Sequence, residues 1–478
     1  MSTSRGLAML PLPNLLRSTA IFHACSSASL VKAGSAAISL AVAKGSSMPR
    51  LLASPILATA RATIFSQFVA GEGLRHARAI ASQLAECNVR CIVDHSTEEL
   101  EDDHLRQHNL DMKLELLRTL SSELSGACSF VPVKMTSLIS PTLLERLTDG
   151  VERHAAASSV GAAAAGAAAG GSPLPPGLPT LDEAADAAEL DGAHERTELT
   201  SAMARLRTLC DGARAVGVPL LLDAEQTHRQ PAIRLIARTL SAEFNREGGA
   251  GAQPLVYDTH QAYLVGAEAR LHDDLAHARA SGYVLAVKLV RGAYRAGEMA
   301  RDPTVLQPSK DHTDAAYDRC AALLLEAALG DGAEGAADDA KGAADGGAPL
   351  QQPTQQPTQQ PPHGPAAASL LLATHNRQSA LSVAEELRQR GAPSGHGRVH
   401  FAQILGMADD LTLSLGLAGC SAHKLVPYGS FDEILPWLLR RLEENQDALG
   451  ACATERPLLR AELARRLAAT FRGGGGRM

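Results

Sequence analysis

Eight short apolar runs alternate with longer amphipathic stretches in this chain, and that alternation limits the possible fold more than any other feature. The runs are Arg90-Cys-Ile-Val-Asp94, Phe130-Val-Pro-Val-Lys134, Pro219-Leu-Leu-Leu-Asp223, Leu255-Val-Tyr-Asp258, Val284-Leu-Ala-Val-Lys288-Leu289, Leu370-Leu-Leu-Ala-Thr374, Val399-His-Phe-Ala-Gln403 and Ser421-Ala-His-Lys424-Leu425. Each is too short for a helix and nearly continuous in apolar character. That is the pattern of a strand covered on both faces, as in a parallel sheet. Helix-period stretches at 110–125, 231–245, 266–280, 313–329, 377–390 and 431–446 fall between or after them. Eight strands alternating with helices predict an α/β fold, a (β/α)8 barrel. Polar residues crowd the run ends: Asp94, Lys134, Asp223, Gln261, Lys288, Arg291, His375 and Gln403. In such a barrel the C-terminal strand ends form the active site.

The chain has 478 residues, 45% of them hydrophobic, enough for two or three domains or for one barrel with additions. The additions are visible in composition. Residues 155–180 are Ala/Gly-rich and then Pro-rich, and 330–368 run through Gly/Ala/Asp into a Gln/Pro repeat. Neither stretch has apolar periodicity, so both are expected to be disordered surface insertions. The expected organisation is a targeting or helical lead at 1–66 and a first barrel part at 67–154. An insertion at 155–196 precedes the central barrel at 197–329. A second insertion at 330–368 precedes a C-terminal barrel part at 369–450 and a tail at 451–478.

Several function classes are excluded by what the chain lacks. The net charge of −7 and 3% aromatics argue against nucleic-acid binding. No Gly-x-Gly-x-x-Gly follows a strand, so no Rossmann dinucleotide site is indicated, and no nucleophile elbow Gly-x-Ser-x-Gly occurs. The eight cysteines are scattered without Cys-x-x-Cys, and they read as reduced thiols. No Asp or Glu precedes Glu72, whereas Arg5, Arg17, Lys32, Lys44, Arg50 and Arg61 do, among many Ser and Ala. That is the composition of an organelle transit segment. No uncharged apolar run reaches the roughly 18 residues needed to span a bilayer, so any membrane association is expected to be peripheral.

Two constellations carry chemistry. Trp437, Arg440, Arg441 and Glu444 fall on one side of a helix-period stretch. Two adjacent guanidiniums there form a double fork for a carboxylate, or else a solvated face with Arg440 paired to Glu444. Lys288, Arg291 and Tyr294 put two cations and a phenol at one strand end. Such cations need an anionic group between them, such as a flavin phosphate or the pyrimidine edge of a reduced flavin, or else pairing with Asp223 or Glu225. His375 and Asn376 end another strand, as ligand donors or as a turn. Asp223, Glu225, His228, His260 and His375 form a competing set, the ligands of a metal in a barrel hydrolase.

In order along the chain, these pieces resemble the proline dehydrogenase family in its eukaryotic form. The matching segments are Phe68-Val-Ala-Gly71-Glu72, Pro132-Val-Lys134-Met-Thr, Leu222-Asp223-Ala-Glu225-Gln, Thr259-His-Gln261-Ala-Tyr-Leu, the Lys288 to Tyr294 motif, and Lys310 with Thr313-Asp314. Thr374-His375-Asn376, Gln403-Ile-Leu-Gly-Met407, Val426-Pro-Tyr-Gly429 and Arg440-Arg441-x-x-Glu444-Asn445 complete them, and Asn14-Leu-Leu-Arg17 resembles the family's helical lead. The resemblance implies a distorted (β/α)8 barrel holding FAD noncovalently. It implies oxidation of L-proline to Δ1-pyrroline-5-carboxylate, with electrons passed to a membrane quinone on the matrix side of the mitochondrial inner membrane. By motif match, Arg440 and Arg441 would bind the substrate carboxylate, helped by Lys134. Tyr294 would wall the pocket, Leu289 would lie close to the flavin, and Asp223 would be a polar neighbour. Gln261, Lys288, Arg291, Lys310, His375, Asn376 and Glu444 would contact FAD. No metal is expected.

Two departures bear on substrate. Leu425 stands where the family's proline-specific members have tyrosine and its hydroxyproline-oxidising relatives a small residue. Trp437 stands where the family has tyrosine before Arg-Arg. Hydroxyproline oxidation is therefore the alternative within the family. A metal-dependent barrel hydrolase and a catalytically silent flavoprotein scaffold are the alternatives outside it.

Overall fold

Each of the eight apolar runs forms a strand in the computed structural model, which describes residues 4–42, 49–95, 102–124, 126–169, 178–246, 253–330, 367–392, 395–447 and 449–473. The strands are β1 Val89–His95, β2 Cys128–Lys134, β3 Leu220–Asp223, β4 Val256–Gln261, β5 Leu285–Val290, β6 Ala368–Ala373, β7 Val399–Ile404 and β8 Ala422–Tyr428. All are parallel and close in chain order, β8 pairing with β1 from Val89↔Ala422 through His95↔Tyr428. The fold is thus the expected (β/α)8 barrel.

Strand alternation sorts the side chains into two layers. Ile92, Phe130, Leu221, Tyr257, Ala286, Leu371 and Ala402 fill the interior. Their strand neighbours, such as Val131, Leu220, Leu285 and Leu370, pack against the surrounding helices. Below the interior layer lies a buried polar network, which Gln253 covers from the surface by bonding Tyr257 Oη and His400 Nε2. The His400 and His423 rings are hydrogen-bonded to each other at 3.2 Å. Ser129 Oγ lies 2.7 Å from His423 Nδ1, and Tyr257 Oη lies 2.8 Å from Ser369 Oγ. Burial drives the imidazole pKa down to about 3 at His400, and well below its ordinary value at His423.

Two expected boundaries need correction. The stretch at 155–180 was expected to be disordered within an insertion at 155–196, but most of the described residues of that insertion are helical. The helix Pro141–Ala169 runs on through the Ala/Gly sequence, and a further helix spans Leu181–Ala187 behind a Thr180/Glu183 capping box. Ala184, Ala185, Ala188 and Leu190 are buried in the core. A Cβ on Gly150 would come within 2.0 Å of the Ala184 carbonyl oxygen, so glycine permits this helix crossing. Alanine supplies helix propensity without the large side chains that make periodicity visible. The expected tail at 451–478 is, as far as it is described, the helix Leu449–Gly473. Its Leu459 clusters with Leu7, Leu15 and Phe22 of the N-terminal lead, and Arg466 donates to the Leu7 and Ala8 carbonyls. Most of the Gln/Pro insertion, 331–366, lies outside the described residues.

Candidate active site

A cavity of about 710 Å³ opens at the C-terminal end of the barrel. That is a size suited to a cofactor or drug-sized ligand. Its described lining includes six cationic side chains, Lys113, Lys134, Lys288, Arg291, Lys310 and Arg377, against two carboxylates, Asp94 and Asp223. Gln261, Tyr294, His375, Asn376, Leu425 and Trp437 also line it. The strand ends therefore bring together most of the residues expected from sequence.

Lys288 and Asp223 are paired at 2.6 Å, so the internal partner considered for Lys288 is present. Arg291 donates from Nε to Asp314 at 2.6 Å, and to Thr374 Oγ1 and Ser379 Oγ at 2.6 and 3.0 Å. Its guanidinium also lies 4.2 Å from the Tyr317 ring centroid. Three bonds from a group with five N–H donors leave capacity for a ligand. Lys310, in the first turn of the helix Lys310–Leu329, contacts the other Asp314 oxygen. Burial alone would raise the Asp314 pKa, but hydrogen bonds from Lys310 and Arg291 outweigh it and hold the carboxyl below its ordinary value. The turn after β5 needs glycine: Gly292 has φ +139°, and a Cβ there would meet the Tyr263 ring at 2.2 Å.

His375 Nε2 accepts from the Ile404 amide at 3.1 Å, which places the imidazole proton on Nδ1. Asn376 is the N-cap of the helix Arg377–Gln389, its Oδ1 accepting from the Gln378 and Ser379 amides. The positive end of that helix thus opens onto the cavity. Gln261 donates to the Glu225 carbonyl at 2.9 Å. Gln403 is fixed between the Thr374 carbonyl and the Thr412 hydroxyl.

Across the mouth lie Asp94, His95, Lys134, Tyr294, Leu425 and Trp437. Lys113 sits beneath them, fully buried, donating to the Pro132 and His95 carbonyls at 3.0 and 3.4 Å. Burial lowers its pKa, and Asp94 and Asp223 pull it back upward. Sequence reasoning missed Lys113 because it comes from the helix Asp103–Glu123 and not from a strand end. The one available signal was a lysine on that helix's inward face. Trp437 belongs to the helix Phe431–Asp447, whose start is tied by hydrogen bonds between Ser430 and Glu433. The side chains of Arg440, Arg441 and Glu444 lie outside the described residues, and the described backbone carries them on the same helix, the arginines one turn beyond Trp437.

Leu289 is a correction. It is buried in the outer layer with Tyr317 and Leu324, while Lys288 and Val290 line the cavity. Period-two alternation makes it impossible for adjacent Lys288 and Leu289 to share the inner face. The five residues of the metal-hydrolase reading do not converge either. Asp223 pairs with Lys288, and Glu225 accepts from the Thr136 amide and hydroxyl. His228 faces Glu145 at 3.5 Å, and His260 points outward from β4 to Asp274 at 3.2 Å. Asp258, His260 and Asp274 do cluster in that outer layer, but Arg234 already neutralises Asp274 through a fork.

The family model described as proline dehydrogenase matches residues 77–453. Hydroxyproline dehydrogenase of Bos taurus is 33% identical over 87% of this chain and 84% of its own length. Mitochondrial proline dehydrogenase 2 of Arabidopsis thaliana is 29% identical over 98% of this chain and 90% of its own. The crystal structure of proline utilization A from Bdellovibrio bacteriovorus superposes with a TM-score of 0.62 at 17% identity, covering 93% of this chain and 41% of that larger one. That last likeness concerns the fold alone.

Proposed function

The chain belongs to the proline dehydrogenase family, and from that premise we propose that it oxidises L-proline to Δ1-pyrroline-5-carboxylate with bound FAD and passes the electrons to a quinone. The observation that carries this reading is the cavity's lining, six cationic side chains against two carboxylates, together with Tyr294, Leu425 and Trp437. FAD, when bound, supplies the acceptor for the hydride leaving the proline ring. Lys288, Arg291, Lys310 and the N-terminus of the helix Arg377–Gln389 form a cradle suited to its anionic groups. His375, Asn376 and Gln261 line the same cavity and would contact FAD as well. Glu444 is assigned to the cofactor by motif alone.

Lys134 and the Arg440-Arg441 pair fix the substrate carboxylate in this reading. Planar forks hold a carboxylate in one orientation, where a lysine provides only a point charge. Tyr294, Leu425 and Trp437 enclose the ring and exclude water, so the protein's main contribution is positioning. The close match to hydroxyproline dehydrogenases supports 4-hydroxyproline as a second substrate. Mitochondrial placement is supported by the names of the Arabidopsis thaliana relatives and by the acid-free N-terminus; the matrix side of the inner membrane belongs to the same proposal through the quinone acceptor.

Denaturing the purified protein should release stoichiometric free FAD. Anaerobic addition of L-proline to the native protein should bleach the flavin absorbance band. A protein without flavin, or a flavin that neither imino acid reduces, overturns the reading.

A further inference from the structure

The helix Leu449–Gly473 lies beyond the eighth strand and its following helix, yet one of its side chains reaches the turn after β7. Glu455 Oε1 accepts from the Ala408 amide at 3.0 Å. Ala408 precedes the helix Asp409–Leu417 and has φ +48°, a left-handed conformation that costs a residue with a Cβ and persists only where its surroundings hold it. The same turn meets the cofactor cavity through three residues. Ile404 lines the cavity and its amide donates to His375. Gln403 also lines it, and its Oε1 accepts from the hydroxyl of Thr412 in the first turn of that helix at 2.7 Å. Lys424 Nζ ties the turn down, donating to the Ile404 and Met407 carbonyls at 3.1 and 2.5 Å.

Charged groups from four elements surround Glu455. Lys424 of β8 is buried and pairs with Asp409 at 2.8 Å, and Arg377 contacts Asp410. Arg17 of the N-terminal lead faces Asp409 as well, and is itself held by Gln67 and Asn14. Lys424 and Arg377 are thus each matched to an aspartate, so an ionised Glu455 adds a carboxylate that no cation is left to match. Burial and the Asp409 carboxylate push its pKa up to about 7, against the opposing pull of the Ala408 amide, Lys424 and Arg377. Arg377 belongs to two networks. It lines the cavity, and it is the first residue of the helix whose N-terminus opens there.

We propose that Glu455 is a positioning residue for the cofactor cavity, holding the turn after β7 from the C-terminal helix and setting, through Arg377, how much positive charge the cavity offers an anionic cofactor. As a neutral acid Glu455 accepts from the Ala408 amide and leaves the Arg377 charge to Asp410 and the cavity. Once ionised it places a further negative charge behind the cation cradle, which disfavours an anionic ligand there. The role toward the cofactor rests on the proposed FAD reading. The hold on the turn does not, and it is measured without flavin.

Two variants of the full chain test it. Glu455→Gln keeps an acceptor for the Ala408 amide and cannot ionise, whereas Glu455→Leu keeps neither property. The Kd for FAD, read by release on dilution of the flavin-loaded protein, should rise roughly three- to tenfold in the parent between about pH 6 and about pH 8. Glu455→Gln should lack that rise and hold FAD at the parent's low-pH affinity, and Glu455→Leu should bind about tenfold more weakly at both pH values. Chemical denaturation of the flavin-free chain gives the second readout. Folded, Glu455 keeps its proton up to about pH 7, and unfolded it loses it near the ordinary value of about 4.3. The folded chain binds more protons between those values, so the stability Glu455 contributes is full below the lower one and is lost as pH rises through about 7. The difference between parent and Glu455→Gln should follow that curve, because the histidines at the bottom of the barrel are common to both. The inference is overturned if Glu455→Gln shows the parent's pH profile in either measurement, or if Glu455→Leu holds FAD as tightly as the parent. A chain that takes up no FAD overturns the proposed function instead, and the denaturation curves then decide on Glu455.

Discussion

The two ends of this barrel hold similar residue types in opposite roles. At the bottom, Ser129, Tyr257, Ser369, His400, Ser421 and His423 are buried and bonded to one another, with Arg90 donating to Ser421 at 2.8 Å. At the mouth, Lys288, Arg291, Lys310, His375 and Asn376 are also bonded to protein partners, yet they face a cavity and carry an excess of positive charge. A buried polar group is therefore not functional merely by being polar. A network whose groups are satisfied by protein partners specifies the fold, whereas one that remains open toward a cavity has capacity left for a ligand.

The largest effect expected from breaking that contrast lies at the bottom. His423→Ala leaves Ser129 and His400 short of a partner and opens space beside Phe130, whose ring meets both imidazoles edge-on at 5.2 and 5.3 Å. A loss of about 3 kcal/mol of stability is expected. Chemical denaturation measures it, and the KM for proline should not move. The same pair makes stability depend on pH. Unfolded, each imidazole takes a proton below about pH 6.5. Folded, His400 resists protonation down to about pH 3, because burial penalises the charged ring and Arg90 repels it. The unfolded chain binds more protons in that window, so stability should fall as pH drops through it, by up to about 1.4 kcal/mol per unit for each imidazole. His423→Ala should make that acid slope shallower. An unchanged slope would mean that the network tolerates a charged ring.

At the mouth the expected effects are on ligands instead of folding. Arg291→Ala removes the guanidinium that braces Asp314, Thr374 and Ser379 beside the proposed cofactor cradle. Flavin affinity should drop by roughly a hundredfold, about 3 kcal/mol, read as flavin retained after gel filtration. Retention at the parent's level would make Arg291 a closed structural node like those below. Arg441→Lys keeps a charge but loses a fork. The KM for proline should rise about 10- to 100-fold with flavin content intact, at roughly 1.5–3 kcal/mol per charged hydrogen bond.

The barrel was legible because parallel strands buried on both faces leave apolar runs that no surface element shares. Its cation-lined mouth was legible because Lys288, Arg291 and His375 end such runs. Reading ended where a face, rather than a position, decided the outcome. Leu289 sits beside Lys288 in sequence but on the opposite side of β5. Lys113 enters the cavity from a helix, where its one signal was a lysine on the inward face. The helices Leu181–Ala187 and Leu449–Gly473 were missed because small residues and scattered leucines give no clear period, although tertiary contacts hold both.

The smallest effect concerns the substrate ring, and it probes the mouth alone. Leu425 is half-buried, in register with Ile92 of β1 and Ile404 of β7, and it touches both the interior layer and the cluster containing Trp437. An apolar wall of this kind discriminates weakly against an added hydroxyl, by about a hundredfold at most. L-proline should be the better substrate, with measurable turnover of 4-hydroxyproline. Leu425→Tyr adds bulk on the side of the cavity that Tyr294 and Trp437 already narrow. It should lower kcat/KM for hydroxyproline more than for proline, shifting their ratio about three- to tenfold. Steady-state kinetics with both substrates in both proteins decides the matter. A parent that prefers hydroxyproline, or a ratio that Leu425→Tyr leaves unmoved, would show that Leu425 does not face the ring.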